Sequence, residues 1–124
     1  MESGGDVLVV DDDADVRDAL EEILHEAGFA VRVARDGAAA LAMMKAHRPE
    51  MILLDLVMPN VDGWRVMSEM ERDPTLRSIP VCVLTGHGDK APPNAARVLE
   101  KPIMVLPLLE VVERYCGSPR SPRS

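Results

Sequence analysis

Four short apolar runs each lead into a residue that can handle phosphate or a metal ion. Val7-Leu8-Val9-Val10 precedes Asp11-Asp12-Asp13, Met51-Ile52-Leu53-Leu54 precedes Asp55, Val81-Cys82-Val83-Leu84 precedes Thr85, and Val98-Leu99 stands just before Lys101. Runs of this kind read as strands, and the carboxyl ends of parallel strands line one edge of a sheet, where open α/β folds place ligands. If Asp11, Asp12 and Asp55 meet there, they repel one another, by roughly 4 kcal/mol per pair at about 4 Å and an effective dielectric near 20. Such a cluster needs a cation or must take up protons. Mg²⁺ suits it, because it binds through one or two carboxylates, keeps several waters and leaves positions for phosphate oxygens. Lys101 adds a positive charge for a phosphoryl oxygen, and the Thr85 hydroxyl adds a donor. Asp55 is the candidate nucleophile toward a phosphoryl donor, forming an aspartyl phosphate. It stands alone after the most apolar run, and the turn-rich segment 56–63 that follows can wrap a site.

The simpler readings of these residues are weaker. Asp11, Asp13, Asp15 and Glu22 fall on positions 1, 3, 5 and 12 of a calcium loop, but position 6 is Val16 instead of glycine, and a strand-like run precedes where a helix is required. Asp13 and Asp15 fit the start of a helix, near its positive dipole end. A lone Asp55 would read as a turn residue, Thr85 as a strand end and Lys101 as a solvated charge; their common spacing after apolar runs argues otherwise. His25 and His47 read as exposed helix residues, and the methionines and Trp64 as core or partly buried surface.

The elements that must position these groups follow from periodicity. From residue 6 to 84, apolar runs of about four residues alternate with helical patterns, the mark of βαβ units and a parallel sheet covered on both faces. The first helix is expected from Ala14 to about Ala27, with Val16, Leu20, Ile23, Leu24 and Ala27 on one stripe and Gly28 ending it. A second strand covers residues 29–34, and a second helix runs from about Gly37 to Ala46. A third helix spans Gly63 to Arg72, before Asp73-Pro74. A last strand lies near residues 97–100, and a last helix runs from about Pro107 to Cys116. Pro92-Pro93 cannot sit inside a helix. Residues 1–116 form one domain, and the tail 117–124, reading GSPRSPRS, is expected to be disordered.

A chain of 124 residues can bury a core without disulfides or structural metal. Its formal net charge of -7 argues against direct nucleic-acid binding, which requires a basic face. Cys82 and Cys116 show neither metal spacing nor a disulfide framework. There is no signal-like segment at the N-terminus and no apolar run of membrane length, so a cytoplasmic location without membrane insertion is expected.

The segments Val9-Val10-Asp11-Asp12-Asp13, Leu54-Asp55-Leu56-Val57-Met58-Pro59-Asn60-Val61-Asp62-Gly63, Leu84-Thr85-Gly86 and Glu100-Lys101-Pro102 resemble the receiver domain of two-component response regulators. The resemblance runs from about residue 6 to 115. It implies a flavodoxin-like three-layer α/β sandwich whose five parallel strands lie in the family's order, 2-1-3-4-5. It also implies roles. Asp55 would take a phosphoryl group from a phosphohistidine on a sensor histidine kinase or phosphotransfer protein. Asp11, Asp12 and Asp55, with the Val57 backbone carbonyl, would hold Mg²⁺. Thr85 would turn toward the phosphoryl group, and Lys101 would pair with it across a cis peptide to Pro102. The domain would act as a phosphorylation-dependent protein-interaction switch on a downstream protein, whether it stands alone or forms part of a longer chain.

The sequence departs from the family pattern in three places. Val98 occupies the place in the last strand where the family often has an aromatic switch residue. The interval from Thr85 to Lys101 is short and holds Pro92-Pro93, so the fourth helix is expected to be short or missing. Val57 and His87 stand two residues after the acceptor and the threonine, positions that tune phosphoryl lifetime in the family, and Val57 cannot orient a hydrolytic water. The main competitor, a phosphatase of the haloacid dehalogenase type, requires an aspartate where Val57 stands. A receiver-like scaffold that is never phosphorylated would lack one of the key residues, and all are present.

Overall fold

The structure, a computed structural model, describes residues 6–86 and 91–117. Its strands are β1 (Asp6–Val10), β2 (Ala30–Ala34), β3 (Met51–Asp55), β4 (Val81–Thr85) and β5 (Arg97–Glu100). The described helices are α1 (Ala14–Glu26), α2 (Gly37–Ala46), α3 (Gly63–Glu71) and α4 (Val105–Cys116). The strands form one parallel sheet in the order β2-β1-β3-β4-β5.

The apolar runs lack alternation because both faces of the central strands are covered. Leu8, Val10, Ile52, Leu54, Val81 and Val83 face one layer, built by α2 and α3 through Ala40, Met44, Val66, Met67 and Met70. Val7, Val9, Met51, Leu53, Cys82 and Leu84 face the other, built by α1 and α4 through Leu20, Leu24, Leu108, Val111 and Val112. Each fully buried valine, leucine, isoleucine or methionine among them contributes roughly 1.5–3 kcal/mol before entropy is counted. The edge strands differ: β2 is only partly covered, and β5 is largely exposed.

The first three helices start at aspartate caps. The Asp13 side chain caps α1 by accepting from the main-chain N–H groups of Asp15 and Val16, and Asp36 and Asp62 cap α2 and α3 in the same way. The last helix corrects the expected start, because α4 begins at Val105, so Pro107 is its third residue. Proline is tolerated there since the first four N–H groups of a helix have no partner inside it. Most described methionines are buried or partly buried, as expected, whereas Met104 and Trp64 are exposed.

Among the described residues, no helix lies between β4 and β5. Ala91 and Ala95 instead pack against the α2–α3 layer, with Ala96 donating to the Val81 carbonyl. Val98, in β5, is left 45% exposed. His87 and the tail beyond Gly117 lie outside the described residues. Among the described residues, no helix is long and apolar enough to cross a membrane.

Candidate functional site

The sheet register brings the chemical groups to one edge. Val10 pairs with Leu54, so Asp11 and Asp55 leave neighbouring strands at nearly the same height. Asp55 pairs with Leu84, one residue before Thr85, and Thr85 pairs with Glu100, one residue before Lys101. The Lys101 N–H donates to the Thr85 carbonyl at 2.8 Å, and the Lys101-Pro102 peptide is cis, as the resemblance implied.

Asp11, Asp12 and Asp55 each offer a carboxylate oxygen within 4.8 Å of the others. Asp11 is buried, Asp55 is 5% exposed and Asp12 is exposed, so the cluster opens to solvent on one side. Lys101 Nζ donates to Asp11 Oδ2 at 3.1 Å and lies 3.5 Å from Asp55 Oδ1. Burial, and then the negative charge of Asp11, push the Asp55 carboxyl up to about 6 against the pull of Lys101. Burial works against the Lys101 ammonium, but its hydrogen bond to Asp11 and the charges of Asp11 and Asp55 outweigh this and hold it above its ordinary value.

One ammonium among three carboxylates leaves an excess of negative charge, which adds to burial in holding the Asp55 carboxyl above its ordinary value. Hard oxygen donors, close spacing and one open side fit a divalent cation that keeps part of its water shell. Asp11, Asp12 and Asp55 are the side chains able to hold it.

The loop after Asp55 is fixed from several directions. The Val57 N–H donates to Asp55 Oδ1 at 3.3 Å, while its side chain is 63% exposed. Leu56 and Met58 are buried, and Asn60 takes a left-handed conformation with φ 67° that asparagine tolerates. The Gly63 N–H donates to the Leu56 carbonyl at 2.8 Å. A Cβ at Gly63 would lie 2.7 Å from Leu56 Cα and 2.8 Å from the Asp55 carbonyl oxygen, so only glycine permits this approach of α3 to the loop.

Sequence reasoning brought Asp11, Asp12, Asp55, Thr85 and Lys101 to this edge, and the structure gathers them there. It missed Arg17, whose Nη1 donates to the Asp11 carbonyl at 2.9 Å. The available signal was a single arginine between residues 6 and 31, in a stretch otherwise rich in acids. It also missed the close approach of Gly63 to the acceptor loop.

Residues 7–112 match the family model for the response regulator receiver domain. The chain is 43% identical over 104 residues to response regulator PleD of Caulobacter vibrioides, covering 78% of this chain and 23% of that protein. It is 32% identical over 123 residues to protein Rrf1 of Nitratidesulfovibrio vulgaris, covering 94% of this chain and 89% of that one. It thus spans nearly all of one relative and about a quarter of the other. Among solved structures, a CheY-like response regulator receiver domain protein from Methanospirillum hungatei superposes with a TM-score of 0.82 at 30% identity, covering 91% of this chain and 94% of that one. With the sheet order, the acidic edge and these likenesses in agreement, the chain belongs to the response regulator receiver domains, the phosphorylation-dependent signalling domains of two-component systems.

Proposed function

We propose that Asp55 is the phosphoacceptor, that Thr85 and Lys101 contact the transferred group, and that Asp11, Asp12, Asp55 and the Val57 carbonyl hold Mg²⁺. The donor is a phosphohistidine on a sensor histidine kinase or phosphotransfer protein. The observation that carries this reading is the buried Asp55 carboxylate at the end of β3, 3.5 Å from the Lys101 ammonium.

In the transfer, an Asp55 carboxylate oxygen forms the new P–O bond while the donor's P–N bond breaks, its electron pair staying on the imidazole nitrogen. Asp55 must be ionised to attack, so the conditions that remove its proton govern the rate. Lys101 offsets charge on the phosphoryl oxygens, and positioning with charge compensation supplies most of the acceleration. Mg²⁺, when bound, supplies further compensation for those oxygens. The phosphorylated state then biases the segment after Thr85 and changes affinity for a downstream protein. With no helix described between β4 and β5, and Val98 in place of an aromatic switch, readout proceeds through a partly uncovered β5.

The test is incubation with Mg²⁺ and a small phosphodonor, or with beryllofluoride as a phosphoryl mimic. Modification at Asp55, lost in Asp55→Asn, is expected. No modification or binding at Asp55 would assign the chain to scaffolds that bind partners without phosphorylation.

A further inference from the structure

We propose that Arg17 is a positioning residue for the acidic cluster, holding the Asp11 main chain and so fixing the carboxylate that Asp11 presents to a divalent cation. The proposal rests on the reading that this cluster holds such a cation.

Arg17 lies in the first turns of α1, where side chains lean toward the helix N-terminus and so toward the strand edge. It is surrounded in sequence by Asp12, Asp13, Asp15 and Asp18, yet its Nη1 donates to a main-chain carbonyl, that of Asp11. Asp11 has no exposed surface, so without this bond its carbonyl loses a charge-assisted partner in a place where such a loss is costly.

Asp11 is held at three other atoms. Its N–H donates to the Ala34 carbonyl at 3.2 Å, its Oδ1 accepts from the Asp13 N–H at 2.9 Å, and its Oδ2 accepts from Lys101. The two carboxylate contacts use the oxygens that a cation needs. The Arg17 contact uses neither, so it can hold the residue still while its carboxylate is engaged. Groups that orient metal ligands in this way strongly affect affinity.

Charge and positioning predict opposite signs. If Arg17 were only a nearby positive charge, it would repel a cation, and removing it would tighten binding. As a clamp, its removal weakens binding. Arg17→Met keeps the side-chain stem and loses donor and charge, while Arg17→Lys keeps a donor and the charge.

Mg²⁺ titration by calorimetry is expected to give about tenfold weaker binding for Arg17→Met, with most of the loss recovered in Arg17→Lys. In metal-free protein, amide exchange at Asp13, whose N–H bonds Asp11 Oδ1, should be faster in Arg17→Met while amides of β3 are unchanged. Chemical denaturation of the same variants separates this local effect from general destabilisation. Binding by Arg17→Met as tight as wild type, or tighter, overturns the proposal, as does unchanged Asp13 exchange. If wild type itself binds no Mg²⁺, the metal reading fails, and the exchange comparison alone decides whether Arg17 holds Asp11.

Discussion

Lys101 Nζ lies 3.1 Å from Asp11 Oδ2, although the two residues are 90 positions apart in the chain. The same ammonium is 3.5 Å from Asp55 Oδ1, so one cation bridges the ends of β1 and β3 from beyond the end of β5. Removing it leaves two buried carboxylates facing each other. Lys101→Met is expected to lose about 1–2 kcal/mol near neutral pH, less than a fully buried pair because Lys101 is 28% exposed. The loss should shrink at acid pH, where Asp55 takes up a proton. Phosphorylation by a small donor should slow by about tenfold or more. Urea midpoints and labelling rates measure the two effects, and a variant labelled at the wild-type rate would exclude Lys101 from the transfer.

The Asp55 carboxyl titrates at about 6 in the folded protein, against an ordinary value of 3.8. Between these values the native state binds more protons than the unfolded chain, so stability falls as pH rises through this window. The penalty is complete above the folded value and absent below the unfolded one. In metal-free protein, Asp55→Asn should be more stable than wild type by about 1–3 kcal/mol at about pH 7.5, since a tenfold change in proton affinity is worth about 1.4 kcal/mol and solvent screens part of it. The difference should fade toward about pH 4. Equal stability at the higher pH would show that the carboxylate is not strained by its surroundings.

The same titration governs chemistry. Without added divalent cation, the reactive carboxylate form of Asp55 declines as pH drops through about 6. A bound cation favours the ionised form, so the acid limb of the phosphorylation profile should move to lower pH as Mg²⁺ is raised. Labelling rates across pH at two Mg²⁺ concentrations check this, and a limb that does not move would separate Asp55 ionisation from metal binding.

Gly63 and Gly86, each next to the site, should respond differently to an added methyl group. At Gly63 an added Cβ meets main-chain atoms of Asp55 and Leu56, which cannot swing aside. Gly63→Ala is expected to cost about 1–3 kcal/mol and to impair labelling of Asp55. At Gly86 a Cβ meets nothing within 4 Å, so Gly86→Ala should change stability by no more than about 0.5 kcal/mol. Thermal or chemical unfolding of both variants measures the contrast.

The fold was legible because burial on both faces leaves a plain mark: the runs ending at Val10, Leu54 and Leu84 are continuous, and Asp13 stands where the first helix starts. The site was legible because Asp11, Asp55 and Thr85 directly follow such runs, while Lys101 stands two residues after the shorter Val98-Leu99 pair. The missed residues act through geometry that residue type does not encode. Arg17 works through a main-chain carbonyl six residues back, and Gly63 through a missing Cβ against a loop. The start of α4 was misplaced because Pro107 reads as a first-turn residue at any of several positions.

Phosphoryl lifetime follows from what surrounds Asp55. Hydrolysis needs a water held in line with the phosphorus, and a polar side chain that orients it typically gains about 10²-fold or more. The Val57 side chain is exposed beside the acceptor and offers no such group, though its N–H is turned to Asp55 Oδ1. Slow dephosphorylation is therefore expected, with Val57→Asn accelerating it by about tenfold or more. His87, two residues past Thr85, is the remaining candidate to orient water, so decay is measured in wild type and His87→Ala together. Rapid decay in both would show that neither residue sets the lifetime. Rapid decay in wild type alone would assign the water to His87.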